Sequence, residues 1–164
     1  MSGAAPTPAR GKTFFDALEF AAALPATGRL FGVDAGTKTY GLALSDILRS
    51  VASPFETIQR SKFTADMARL MALSDEHSIV GFVVGFPVNL DGSEGPRAQA
   101  TRAFTRNLNL LTGTPVLLWD ERLTTQQAER LLISADASRK RRSEVIDKLA
   151  ATLILQNLLD RLRP

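Results

Sequence analysis

The chain has 164 residues, 45% of them hydrophobic and 23% charged, which is the balance of one ordinary globular domain rather than of a disordered segment. It contains no cysteine, so disulfides and thiolate metal sites are excluded. Its longest apolar stretch, residues 79–88, is too short to cross a bilayer, and its N-terminus lacks the charge-then-apolar order of a secretory signal, so a cytoplasmic protein with no membrane contact is expected.

Residues 1–28 read as an extension. Met1 to Lys12, rich in Gly, Ala, Pro and Thr, has the composition of a disordered arm. Phe14 to Leu24 reads as a short apolar-faced helix ended by Pro25 and Gly28. Residues 29–164 form the domain. Leu30 to Asp34 is a short strand, followed by the turn Ala35-Gly36-Thr37-Lys38 and by Tyr40 to Ser45, which alternates at period two as a hairpin partner should. Ala52 to Ile58 is a third strand. Met67, Leu70 and Met71 recur at helical spacing, predicting a helix from about Thr64 to His77. Ile79 to Gly85 is continuously apolar, the pattern of a strand buried on both faces.

The turn-rich segment Phe86 to Gly95 leads into a helix with Pro96 in its first turn and Gly113 beyond its end. Val116 to Trp119 is another buried strand. Thr124 and Gln127 have the spacing of a capping box for a helix to about Ser134. Ile146, Leu149, Ala150 and Leu153 mark the apolar stripe of a final helix ending near Leu162. The order β-β-β-α-β-α-β-α predicts an α/β architecture: a mixed five-stranded sheet flanked by helices, with an early meander and two later strands joined through helical crossovers.

Three acids stand out against that order. Asp34 ends the first strand, Asp120 and Glu121 end the last at the corresponding carboxyl end, and Asp147 lies in the first turns of the final helix. If the first and last strands flank the fourth, these ends lie together. Converging carboxylates repel one another and raise each other's pKa unless a cation occupies the site. Oxygen donors without Cys or a nearby His favour Mg²⁺ or Mn²⁺. Two such ions about 3.5–4 Å apart bind the attacking water and the leaving oxygen of a phosphodiester. Asp34, on a rigid strand end, is the natural bridging ligand, with Glu121 and Asp147 completing the shells. Each acid alone is also an ordinary strand-end or helix-start charge; their joint placement points to a metal centre.

Four ordered motifs carry a family resemblance from about Arg29 to Leu162. They are Gly32-Val33-Asp34-Ala35-Gly36-Thr37-Lys38 with Gly41-Leu42-Ala43-Leu44-Ser45-Asp46; Val83-Val84-Gly85-Phe86-Pro87 with Asn89 to Gly95; Trp119-Asp120-Glu121-Arg122-Leu123-Thr124-Thr125; and Asp147-Lys148-Leu149-Ala150-Ala151 with Ile154-Leu155-Gln156. In these the chain resembles the YqgF/RuvX family, the pre-16S rRNA nucleases also called Holliday junction resolvases. The resemblance implies an RNase H-like fold, which requires the strand order read above, and a nuclease whose acids fall on Asp34, Glu121 and Asp147. It also implies a role in maturing the 5′ end of 16S ribosomal RNA. Thr39 stands where the family often has Arg, Tyr40 where it often has an aliphatic residue, and Phe86 where Leu is usual.

Substrate contacts are expected from Gly36 and Thr37, through backbone N–H groups of a tight turn, and from Lys38 and Arg122. Residues 29–120 balance nine basic against nine acidic side chains, whereas residues 121–164 carry nine basic against six. Four of those are the run Arg139, Lys140, Arg141 and Arg142, which is either a solvated segment or an electrostatic contact for phosphates. Three other readings stay open. They are cleavage of four-way DNA junctions, binding of precursor rRNA without cutting, and a phosphate loop of the actin and sugar-kinase kind at Asp34-Ala35-Gly36-Thr37. The expected partner is a nucleic acid, and a monomer or a homodimer is expected.

Overall fold

The computed structural model describes residues 12–120 and 139–163, with residues 139–147 described as helix backbone. In chain order the elements are β1 (Thr13–Phe14), α1 (Ala17–Ala22), β2 (Arg29–Ala35), β3 (Thr39–Ser45), β4 (Ala52–Gln59), α2 (Phe63–Glu76), β5 (Ile79–Phe86), α3 (Pro96–Leu111), β6 (Val116–Asp120) and α4 (Arg139–Leu162). The strands make one sheet in the order β1-β6-β5-β2-β3-β4. β2, β3 and β4 form the antiparallel meander, and β5 and β6 join β2 in parallel. The helix expected at Thr124 to Ser134 lies outside the described residues. Among the described residues no helix is long and apolar enough to cross a membrane.

Period-two alternation divides the core into two layers. On one face Phe31, Val33, Leu42, Phe82, Val84 and Leu118 pack with Met67 and Leu70 of α2 and with Phe104 and Leu108 of α3. On the other, Leu30, Val83 and Leu117 pack with Phe20 of α1 and with Ile154, Leu155 and Leu158 of α4. Each such side chain contributes about 1.5–3 kcal/mol by leaving water. β5 is buried along seven of its eight residues because both layers cover it, which is why its sequence shows no polar alternation.

The sheet has six strands, not the expected five. The extra one, β1, comes from the segment read as an extension: Thr13 and Phe14 pair in parallel with Val116 and Leu117, and the N–H of Val116 donates to the Lys12 carbonyl at 2.9 Å. Two residues are too few to show a period, so only the tertiary pairing makes them a strand. The helix that follows is shorter than expected because Asp16 starts it, its carboxylate accepting the N–H of Glu19 at 2.9 Å. Phe20 is fully buried, its ring edge-on to Phe14 with centroids 6.1 Å apart. Phe20→Ala should therefore cost about 3–5 kcal/mol in urea unfolding, as truncating a core aromatic does. A loss below about 1 kcal/mol would mean that this segment is not part of the domain's core. At the other terminus α4 starts earlier than its apolar stripe, so Arg139 to Arg142 are helical in backbone.

Candidate active site

β5 lies between β2 and β6, so the carboxyl ends of the three strands stand side by side, as the sequence reading required. Leu30 of β2 faces the α4 layer and Phe31 and Val33 face α2 and α3, so alternation turns Gly32 and Asp34 toward α4. Asp34 is buried, 8% exposed, which is unusual for a carboxylate and is not the state of a solvated strand end.

Gly32 is the point of closest approach. A Cβ there would lie 2.7 Å from the Ala151 carbonyl oxygen and 2.8 Å from the Leu155 Cβ, so α4 rests almost directly on the strand. Its direction is fixed at the far end. Gln156 Oε1 accepts the N–H of Ala52 at 2.8 Å, and Gln156 Nε2 and Arg163 Nη2 donate to the Ser50 carbonyl at 3.3 and 2.6 Å. Ala52 pairs with Ser45, whose Oγ accepts the N–H of Leu30 at 2.8 Å. The carboxyl half of α4 thus lies over the amino end of β2, and helix and strand run antiparallel. Stepping back one turn from Ala151, about 6 Å of helix, reaches the backbone of Asp147. Stepping forward two residues from Gly32, about 6.6 Å of strand, reaches Asp34. These two positions share one end and one layer of the fold.

The remaining expected site residues divide as follows. Glu121 and Arg122 lie outside the described residues, as do the side chains of Asp147 and of Arg139, Lys140, Arg141 and Arg142. Asp34 is therefore the one expected ligand with a described side chain, and no group of three metal-ligating side chains occurs among the described residues. Asp120 is exposed and, alternating with Val116 and Leu118, belongs to the α2 and α3 side, opposite Asp34. His77, the chain's sole histidine, closes α2 at the amino end of β5 and packs its ring against Phe55 at 4.9 Å and Phe31 at 6.4 Å. With no thiol in the chain and the imidazole at the opposite end of the sheet, the donors on hand are oxygens. A buried carboxylate of that kind fits a hard divalent cation.

At the β2–β3 turn the Gly36 N–H donates to the Thr39 carbonyl at 2.9 Å, so this amide belongs to the hairpin. Thr37 and Lys38 stand exposed at the tip. Arg60 braces the turn: its Nη1 donates to the Gly36 carbonyl at 2.6 Å, and its guanidinium lies 4.9 Å over the Tyr40 ring, which stacks on Phe104 in turn. Burial raises the Tyr40 hydroxyl above its ordinary pKa, with Arg60 opposing, so it remains a neutral phenol at physiological pH. Arg60 follows no sequence pattern; it was legible only once β4 was paired beside the hairpin.

The segment after β5 orders itself. Asn89 donates its backbone N–H to the Ser93 carbonyl and its side-chain amide to the Ser93 Oγ, and Gly92 takes a φ of +88° that other residues resist. Hydrogen bonds from Ser93 hold Asp91 below the usual carboxylate range, and the Arg102 guanidinium does the same for Glu94. Both loop acids are thus charged and already engaged within the loop and α3.

The family model RuvX, described as Holliday junction resolvase, matches residues 28–161. A Rhodobacter capsulatus protein is 60% identical over 144 residues, covering 88% of this chain and 91% of its own. One from Paracoccus denitrificans shows the same identity and coverage, and one from Ruegeria pomeroyi is 57% identical over 145 residues, covering 88% and 94%. All three bear the name "Putative pre-16S rRNA nuclease". Among solved structures, Thermus thermophilus RuvC in complex with a Holliday junction aligns over 82% of this chain and 96% of its own, at 17% identity and a TM-score of 0.50, a likeness of fold. With the family model matching most of the chain and relatives at this identity, the chain belongs to the RuvX family.

Proposed function

We propose that this protein is a divalent-metal-dependent endonuclease that hydrolyses phosphodiester bonds in structured RNA, acting in the 5′-end maturation of precursor 16S rRNA in the cytoplasm. The observation that carries it is the seating of α4 on Gly32, which brings the backbone of Asp147 to the end and layer that hold the buried Asp34. The RNA substrate is taken from the names of relatives about 60% identical. Asp34, Glu121 and Asp147 are the proposed metal ligands; the opposite facing of Asp120 is the reason to take Glu121 from the acidic pair.

Bound Mg²⁺ or Mn²⁺ would neutralise phosphate charge and activate the attacking water. The chain's own residues supply the rest. A buried strand end holds Asp34 still, so its carboxylate needs no reorganisation as the reaction proceeds. Thr37 and Lys38 at the exposed turn meet the phosphate next to it. Arg122 and the basic run Arg139 to Arg142 hold the polyanion, so affinity falls steeply with salt.

The family model's description favours a second substrate, four-way DNA. That reaction cuts two strands and calls for a symmetric homodimer, whereas a monomer suffices for RNA. The deciding experiment offers the purified protein precursor 16S rRNA and a four-way DNA junction, each with Mg²⁺ or Mn²⁺. Cutting of the RNA with the junction intact supports the proposal. Paired nicks in the junction with the RNA intact would move the substrate to DNA. Normal RNA binding without cleavage in either metal would leave a binding-only assembly factor.

A further inference from the structure

On the α3 side of the β2–β3 turn lies an open cleft of about 240 Å³, distinct from the acids' side of the sheet. Thr37, Tyr40, Arg60, Phe63, Arg97 and Asn107 line it, and no carboxylate does. Its two guanidiniums differ in how they are held. Arg60 is fixed by the Gly36 carbonyl and the Tyr40 ring, whereas Arg97 is exposed at the start of α3, without an ion pair among the described residues. Phe63 is 40% exposed although it is a large apolar side chain, and it opens α2 at the rim of the cleft. Two cations, an uncovered aromatic ring and a side-chain amide are the chemistry that takes an unpaired nucleotide: phosphate on the arginines, base on the ring, base edge on the amide. The volume is below the usual range of about 300–1,000 Å³ for drug-sized ligands, so one nucleotide fits better than several.

We propose that this cleft receives a single unpaired nucleotide of the strand being cut, its base against Phe63 and its phosphate between Arg60 and Arg97. The inference rests on the nuclease reading and narrows its substrate to strands with a splayed or single-stranded nucleotide beside the cut. Ala35, Gly36 and Thr37 line the cleft and follow Asp34 directly, so a strand crossing this turn passes from one site to the other. A continuous duplex has no base free to enter and gains nothing from Phe63.

The test uses the full chain and a short labelled RNA oligonucleotide, single-stranded or annealed to its complement, with binding followed by fluorescence anisotropy in a chelator. Phe63→Ala should weaken single-strand binding at least about fivefold, the low end for losing one stacked base, with the salt dependence unchanged. Arg97→Gln should weaken it and lower the slope of log K against log salt by about 0.7, the value for one lost phosphate contact on a single strand. Both variants should bind the duplex within twofold of wild type. Equal losses on single strand and duplex, or no loss on either, would overturn the cleft while leaving the nuclease reading intact. Selective losses in the two variants, with a wild-type protein that cuts neither RNA nor DNA, would keep the cleft and discard the nuclease. Arg97 is exposed and Phe63 is 40% exposed at the rim of the cleft; Arg60 is left in place because the hairpin leans on it.

Discussion

The substitution Asp34→Asn is expected to remove metal-dependent cleavage while leaving the fold in place. The amide keeps the shape of the carboxylate and loses the charge that a divalent cation needs. Residues that merely support a metal ligand cost 10–100-fold when mutated, so loss of a ligand itself should exceed about 100-fold in cleavage rate. A second readout needs no substrate. A cation that binds only the folded protein stabilises it by about 1.4 kcal/mol at tenfold its Kd, which for a domain of this size raises the melting temperature by about 3–6 °C. Wild type should show that rise with Mg²⁺ or Mn²⁺, and the Asp34→Asn protein should not. A variant that cuts at the wild-type rate, or still responds to the cation, would remove Asp34 from the metal site.

Gly32→Ala should be severely destabilising. The new Cβ would meet the carbonyl oxygen of Ala151 at 2.7 Å, and a helix backbone cannot rotate aside as a side chain does. Overpacking a core usually costs about 1–3 kcal/mol; here the whole of α4 must move, so the loss should reach or pass the top of that range in chemical denaturation. Gly81→Ala is the control. Its neighbours at 2.9–3.1 Å are the ends of Leu24, Leu30 and Phe20 side chains, which yield more readily, so its loss should be smaller. A Gly81 variant as unstable as the Gly32 variant would show that the crowding, not the helix backbone, sets the cost. The Gly32 variant should also lose cleavage beyond its loss of folded protein, because displacing α4 carries Asp147 away from Asp34.

How far the sequence speaks for itself differs between these features. Each of the five longer strands lies within a residue or so of its expected place, because alternation in the meander and unbroken apolar runs in β5 and β6 are local signals with tertiary causes. The burial of Asp34 was legible for a similar reason, because it closes an apolar run. β1 was not legible, since its two residues become a strand only by pairing with a segment far along the chain. Gly32 sits inside a recognisable motif, yet nothing local says that a helix backbone will lie on it. Tyr40 lies in β3 and Arg60 just past the end of β4, and their contact exists only after β3 and β4 pair. Local pattern finds elements and out-of-place charges; close approaches between distant segments need the fold.

The pairing of β1 with β6 also orders events during synthesis. Thr13 leaves the ribosome more than a hundred residues ahead of its partner Val116. Until then Phe14 and Phe20 have no finished surface to cover, and the nascent chain must carry them exposed. This flap should therefore dock last during folding, and its amides should exchange with deuterium sooner than those of β5 in the finished protein.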